Sequence, residues 1–432
     1  MSAKITATVT TRQGSTMRRL FAVAWLFCLI FYFLQYAVRS APSVMMDELT
    51  SAFGLTTVGL GSLLGLYYYT YSTCSLVSGA LLDRWGGKYS IPAGTMILAL
   101  GIALFGAGVN WMASAGRLLQ GAGAAFAFVG AVYLASRGFP KKYLATAIGV
   151  TQCVGMLGGA MGQSTVAWLI HGILTWRSFW LDTGIVTALV AVGIFFVTPG
   201  GREQTANKLP ESEQRRSSIF VPYRIVLTNP QSWLCGLCSG MLFLPTTVGS
   251  MTWGVSFLTH GWGLDYHQAV QRASVVPLGW VFGCPVLGYV ADRLGRRKPV
   301  LLSGIAVMAL SIAAIVFLPP LTFPPYVLGF TLGFASGAAM IPYTIIKEVN
   351  PDEVKGSATG AINFIVFVMS AIASPLFGHL LQALSGGKTL NELVFSHAFS
   401  IGLLCVALAG AMAFLLPETG TRASEKSGRA VR

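Results

Sequence analysis

The sequence predicts an all-α membrane protein of twelve transmembrane helices in two pseudo-symmetric halves, and three observations carry that prediction. Hydrophobic residues make up 54 % of the 432 residues and charged ones only 10 %, with a mean hydropathy of +0.66. A soluble domain carries roughly 25 % charged residues, so this chain has too little polar surface to cover a water-exposed globule. Apolar runs, each long enough to cross a bilayer core, recur along the whole length. Finally, Gly79-Ala-Leu-Leu-Asp-Arg-Trp-Gly-Gly-Lys88 and Gly288-Tyr-Val-Ala-Asp-Arg-Leu-Gly-Arg-Arg297 repeat one design 209 residues apart. Each follows an apolar run, carries Asp-Arg at the same offset and precedes another apolar run, the mark of an internal duplication.

In chain order the runs lie near 20–40, 55–80, 89–110, 113–138, 144–170, 179–197, 231–258, 269–291, 299–318, 323–346, 357–383 and 394–416. The fourth and tenth are the least clean. The first 19 residues are polar and basic, without a small-residue cleavage site behind a short apolar core. The first run therefore reads as a retained helix rather than a removed signal peptide. Six runs fill residues 1–198, a hydrophilic stretch at 199–230 reads as a cytosolic linker, and six more fill 231–432 with a short cytosolic tail. The 50 glycines suit close helix approach in lipid. Seven scattered cysteines read as apolar packing residues, since Cys235 and Cys238 have no second pair or His partner for a metal.

A net charge of +14 invites a nucleic-acid reading, so its distribution matters. With both termini in the cytosol, only Arg177, Arg272 and Lys388 fall in outer loops, and Arg39 and Arg117 fall within spans. The other 24 of the 29 Lys and Arg lie inside. That asymmetry is the positive-inside rule, so the basic excess is topology and not a nucleic-acid footprint. No Asn-X-Ser/Thr sequon falls in an outer loop, which favours a bacterial inner membrane.

Three motifs give the chain a resemblance to the major facilitator superfamily over nearly its whole length. The loop after the second span, with Gly79, Asp83, Arg84, Gly86 and Lys88, resembles that family's signature loop. Its counterpart after the eighth span repeats it with Gly288, Asp292, Arg293, Gly295 and Arg296. The fourth span carries Arg117-Leu-Leu-Gln-Gly121, similar to the family's Arg-x-x-Gln-Gly pattern. The resemblance implies two six-helix bundles around a central cavity that opens alternately to each side. Read physically, Gly79 and Gly288 let two helices approach at the inner surface. The Asp accepts from amides at a neighbouring helix N-terminus and pairs with the basic residues beside it. Such contacts hold an inner gate shut in one state and break in the other. The bland alternative is a tight basic turn; the repetition at matching positions favours gating.

Ionisable groups inside spans cost roughly 2.5–3.5 kcal/mol on insertion scales, so each is a functional candidate. Arg39 is the sharpest. Gln35 and Tyr36 lie four and three residues before it and share its helix face. A guanidinium on that polar stripe can clamp a carboxylate or phosphate with two parallel hydrogen bonds. The competing reading has Arg39 snorkelling to the outer interface. Its placement is similar to the first-span arginine of the family's organophosphate and organic-anion branches. The organophosphate branch has a second arginine in the seventh span, where Leu244 to Trp253 here holds no charge, and a histidine in the fifth, absent here. A substrate with one carboxylate fits better than a dianionic phosphate. Arg117 and Gln120 are expected in coupling or structural roles. Further substrate-binding candidates are Tyr67 and Tyr71 (with Tyr68 beside them), Gln152, Trp253 and Asn363, followed by Gln163, Trp280 and Tyr343. Packing is the commoner fate of the aromatics, whereas an unpaired amide in lipid is costly and marks a better candidate.

Apart from Asp83 and Asp292, no acid falls near the middle of a span. Asp47, Glu48, Asp182 and Glu348 sit at span ends. This favours facilitated diffusion, exchange, or co-transport in which the substrate brings the proton. The fifth-span series Gly155 to Gln163 lacks the Gly-Pro of drug antiporters. A membrane sensor would need a cytosolic surface, and only the linker and tail offer one. An enzyme is not expected, because the five His lie near the outer side without ligand spacing. The expectation is a carrier, a monomer without cofactor or metal, whose bundles rock about a midplane site. Its partners are the lipid bilayer and a small organic anion such as a carboxylate, with a co-transported proton or an exchanged anion. Sugars, peptides, siderophores and drugs are the alternative cargoes.

Overall fold

The computed structural model describes residues 2–139, 141–200, 221–319, 322–324, 326–351, 354–386 and 391–420. Among these, helices are the regular element and there is no strand. The first half holds α1 (Ser2–Ser40), α2 (Thr57–Trp85), α3 (Gly87–Gly106), α4 (Asn110–Gly138), α5 (Lys141–Gly172) and α6 (Trp176–Val197). The second holds α7 (Pro230–Gly261), α8 (Tyr266–Leu294), α9 (Lys298–Phe317), α10 (Val327–Glu348), α11 (Lys355–Ser385) and α12 (Glu392–Leu415). Eleven of the described helices are long and apolar enough to cross a bilayer. The twelfth span counts when Met46–Phe53 is joined to the start of α2 across a 105° bend.

Local chemistry sets the helix ends. The side chains of Thr56, Thr175, Asn229, Asp265 and Asn391 accept from the first backbone N–H groups of α2, α6, α7, α8 and α12, satisfying donors that a helix start leaves free. Gly295, with φ at 61°, closes α8 in the left-handed conformation that spares glycine the Cβ clash. Two spans depart from a plain helix. In α10 a 3-10 turn at Gly337–Met340 precedes Pro342, whose ring cannot follow an unbroken helix. In α7 the stretches Pro245–Trp253 and Phe257–Gly261 are π-helical. The Thr246 and Thr247 hydroxyls donate to the Phe243 carbonyl, and the Thr252 hydroxyl reaches the Thr247 carbonyl five residues back. These bonds and the missing N–H of Pro245 draw carbonyls away from the ordinary i−4 ladder.

Small residues set the packing. A Cβ on Gly121 of α4 would overlap the Tyr67 carbonyl of α2, and one on Gly333 of α10 would overlap the Val276 carbonyl of α8. The same close approach thus recurs at equivalent helix pairs of the two bundles, as duplication requires. Gly158 plays this part between α5 and α1. The halves meet along α2 with α11 and α5 with α8. Gly61 and Gly65 lie against Ser374 and Pro375 there, and the Ser374 hydroxyl donates to the Gly61 carbonyl at 3.1 Å. At the end the charge pattern assigns outward, Gln163 of α5 donates to the Ser43 hydroxyl at 3.1 Å and to the Ser250 carbonyl of α7 at 3.3 Å. The Tyr266 hydroxyl donates to the Val44 carbonyl at the same end. Of the expected linker, residues 201–220 lie outside the described residues; Val221–Thr228 is a short helix whose Tyr223 hydroxyl donates to the Leu76 carbonyl at 3.3 Å.

Candidate functional site

Arg39, late on α1, points into the protein. It is 4 % exposed. Its guanidinium carbon lies 4.3 Å from the ring centre of Tyr36, 5.3 Å from Phe367 of α11 and 5.7 Å from Tyr68 of α2. The interfacial reading of Arg39 is therefore overturned: rings from both halves enclose the side chain. None of its three guanidinium nitrogens has a hydrogen-bond partner among the described residues. Ring faces attract a cation, yet a buried guanidinium ordinarily also finds acceptors.

Around this cation the tyrosines and amides pair with one another. The Tyr67 hydroxyl donates to Gln35 Oε1 at 2.7 Å, leaving Gln35 Nε2 without a partner. The Tyr32 hydroxyl donates to Gln152 Oε1 at 3.1 Å, and the Tyr343 hydroxyl to Asn363 Oδ1 at 2.8 Å. Tyr71 stacks on Tyr67 with centroids 5.7 Å apart and meets Phe367 edge-on at 4.6 Å. Beyond Phe367 lies Phe243 at 6.0 Å, and beyond that Trp280 at 4.7 Å, its buried Nε1 unpartnered. The structure thus joins Gln35, Tyr36, Arg39, Tyr67 and Tyr71 in one cluster, with Asn363 tied to Tyr343 beside Phe243. Trp253 stands apart: its ring packs on Phe377 and near Gly61, where α7 meets α2 and α11. Sequence reasoning missed Phe367. One Phe among 26 in apolar spans carries no signal of what it faces.

Arg117 is equally buried, but both of its terminal nitrogens are engaged and Nε alone lacks a partner among the described residues. Nη1 donates to Gln120 Oε1 at 2.8 Å and Nη2 to the Leu64 carbonyl at 3.2 Å, while the Tyr67 ring lies 5.0 Å from its guanidinium carbon. Gln120 Nε2 in turn donates to the Gly101 carbonyl of α3 at 3.1 Å. These bonds staple α4 to α2 and α3.

The repeated loops turn out differently from the expectation. Among the described residues, the nearest atom to an added Cβ at Gly79 is one of Val129 at 4.0 Å, and at Gly288 nothing lies within 4 Å. The expected close approach is not made there; Gly121 and Gly333 make it instead. The side chains of Asp83 and Arg84 lie outside the described residues. Lys88 Nζ sits 5.4 Å from the Phe195 ring centre. In the second loop the partner of Asp292 is Arg297, whose Nη1 donates to it, while Nη2 bonds Glu348 at 3.0 Å. Arg293 is exposed, and Arg296 reaches Glu418 at 3.5 Å. Burial opposes the charge of Arg297, but its bonds to Glu348 and Asp292 prevail and raise its pKa above the ordinary arginine value. Glu418 also accepts from the backbone N–H of Arg297 at 2.6 Å, capping the start of α9.

A cavity of about 420 Å³ lies elsewhere, bounded by α7 to α12, with Arg272 as the one charged lining residue among those described. Arg39 is not in its wall.

Three comparisons bear on the whole chain. The protein is 26 % identical over 423 residues to the membrane sensor protein UhpC of Salmonella typhimurium, covering 92 % of this chain and 90 % of the relative. It is 24 % identical over 399 residues to a Cupriavidus necator protein named "Probable sulfoacetate transporter SauU", covering 87 % and 90 %. A bacterial homologue of the human lysosomal transporter Spinster, solved in an inward-facing, unoccupied conformation, matches with a TM-score of 0.72 at 17 % identity over 92 % of this chain and 97 % of that one, which establishes the shared fold. The Major Facilitator Superfamily model matches residues 28–374 and 252–430, and the chain belongs to that family of multi-pass membrane transport proteins.

Proposed function

We propose that the protein moves a small organic anion across the membrane by alternating access, and that Arg39 holds the anionic group, a carboxylate. The observation that carries this is a guanidinium 4 % exposed with three unpartnered nitrogens, framed by rings of both bundles. A carboxylate supplies the missing acceptors in a bidentate pair, and shared walls let rocking bundles expose it to either side. The name of the sulfoacetate relative is consistent with an anionic cargo. No Asp or Glu pairs with Arg39 among the described residues, which favours uniport, exchange, or a substrate that brings its own proton. The positive-inside pattern supports cytosolic termini in a bacterial inner membrane.

A thermal-unfolding screen of the purified protein against carboxylates, phosphates, sugars and dipeptides tests the reading, with Arg39→Ala beside the wild type. Carboxylates are expected to stabilise the wild type alone. Stabilisation by neutral compounds only, or an equal response from the variant, refutes it. Uptake of the stabilising acid into proteoliposomes then separates a carrier from a sensor, the second reading that the UhpC relative favours. A sensor binds the acid and moves none.

A further inference from the structure

We infer that the site selects a flat, unsaturated or aromatic acid with few or no hydroxyl groups over a polyhydroxylated sugar acid; this rests on Arg39 as the anion's partner. The argument comes from which polar atoms are already used. Three amide oxygens stand near the ring cluster, and each already accepts a tyrosine hydroxyl: Gln35 from Tyr67 at 2.7 Å, Gln152 from Tyr32 at 3.1 Å and Asn363 from Tyr343 at 2.8 Å. Among the described residues, the buried atoms left without a partner in the cluster are N–H groups: Nε, Nη1 and Nη2 of Arg39, Nε2 of Gln35 and Nε1 of Trp280; the unpartnered Gln163 Oε1 belongs to the outer-end contacts with Ser43 and Ser250. Donors alone match a carboxylate, which only accepts. An alcohol must donate as well, and the several hydroxyl hydrogens of a sugar acid would have to share the second lone pairs of amide oxygens that each already accept a tyrosine. The remaining phenols, those of Tyr36, Tyr68 and Tyr71, donate better than they accept.

Ring geometry points the same way. Tyr36, Tyr68 and Phe367 surround the guanidinium, Tyr71 meets Phe367 edge-on at 4.6 Å, and Phe243 continues the wall at 6.0 Å. A planar π system lies against such faces in offset or edge contacts while its carboxylate replaces a ring as the cation's neighbour. A polyol chain presents hydroxyls to those faces instead.

Calorimetric titration of the full-length wild type with sorbate, benzoate, D-gluconate and D-galactonate tests this, with Arg39→Ala as a control. Sorbate and benzoate are expected to bind at least ~10-fold more tightly than either sugar acid. Apolar walls discriminate against a single added hydroxyl by roughly 100-fold, so tenfold is a low threshold for a polyol. Sugar acids binding as tightly or more tightly, with loss of binding in Arg39→Ala, overturns the selectivity and leaves the arginine reading intact. If none of the four acids binds, or binding is unchanged in Arg39→Ala, the arginine reading falls and the selectivity falls with it. The ratio between acids is read on the wild type alone, so it does not depend on how the variant folds.

Discussion

Consecutive tyrosines on α2 face two buried arginines in opposite conditions. The Tyr67 ring lies 5.0 Å from the guanidinium of Arg117, and the Tyr68 ring 5.7 Å from that of Arg39. Both cations have lost their water, at an effective cost of several kcal/mol each. Arg117 recovers much of that through the Gln120 side chain and the Leu64 carbonyl. Among the described residues Arg39 has rings only, worth about 0.5–2 kcal/mol apiece. On the proposed function, the difference separates two uses of one side chain: a staple whose terminal nitrogens find acceptors within the fold, and a receptor that a ligand completes. The receptor is preorganised because packing fixes its walls, so little ordering is left to oppose binding.

Substitutions around the staple sharpen the comparison. The largest loss is expected from Gly121→Val, which forces α4 away from the Tyr67 carbonyl and separates Arg117 from both its acceptors; about 3 kcal/mol of stability should be lost in denaturant unfolding. Arg117→Met leaves Gln120 Oε1 unpaired and takes the interhelix donor from the Leu64 carbonyl, and should cost about 2 kcal/mol by the same measurement. A Lys at that position should fail to restore it, since one ammonium does not reproduce the guanidinium fork. Tyr67→Phe removes the bond to Gln35 and should cost about 1 kcal/mol, while the ring under Arg117 stays. A smaller and parallel contrast is expected at the second signature loop. Arg297→Ala should lower stability by about 1 kcal/mol by freeing Asp292 and Glu348, whereas exposed Arg293→Ala should stay within about 0.5 kcal/mol. Equal effects at 293 and 297 would break the distinction between partnered and free arginines.

What was readable in the sequence was what is local or repeated. Twelve apolar runs and a duplicated loop carry the fold because bilayer thickness fixes span length. The Arg117–Gln120 bond joins residues three apart on one helix, and Gly121 follows within the same motif, so a single turn displays the staple's side chains, though not the Leu64 and Gly101 carbonyls they reach. Gln35, Tyr36 and Arg39 share a face for the same reason. Phe367 reaches Arg39 from 328 positions away, and helical period says nothing about which distant ring arrives. The π-helical course of α7 depended on hydroxyl-to-carbonyl bonds that residue type alone does not assign. The loop motif offers Arg293 and Arg296 as the basic residues beside Asp292. Gly295 ends the helix, and the chain turns Arg297 back to the acid instead.

Thermal unfolding of the wild type, Arg39→Met and Arg117→Met, each with and without benzoate, tests the central contrast most directly. Without ligand, Arg39→Met should unfold at or above the wild-type temperature, because it replaces an unpartnered buried charge with an apolar chain of similar length. It should gain nothing from benzoate. Arg117→Met should unfold at a lower temperature and keep the stabilisation benzoate gives the wild type. If Arg39→Met proves less stable than the wild type and still responds to benzoate, Arg39 is a structural residue and the account is wrong.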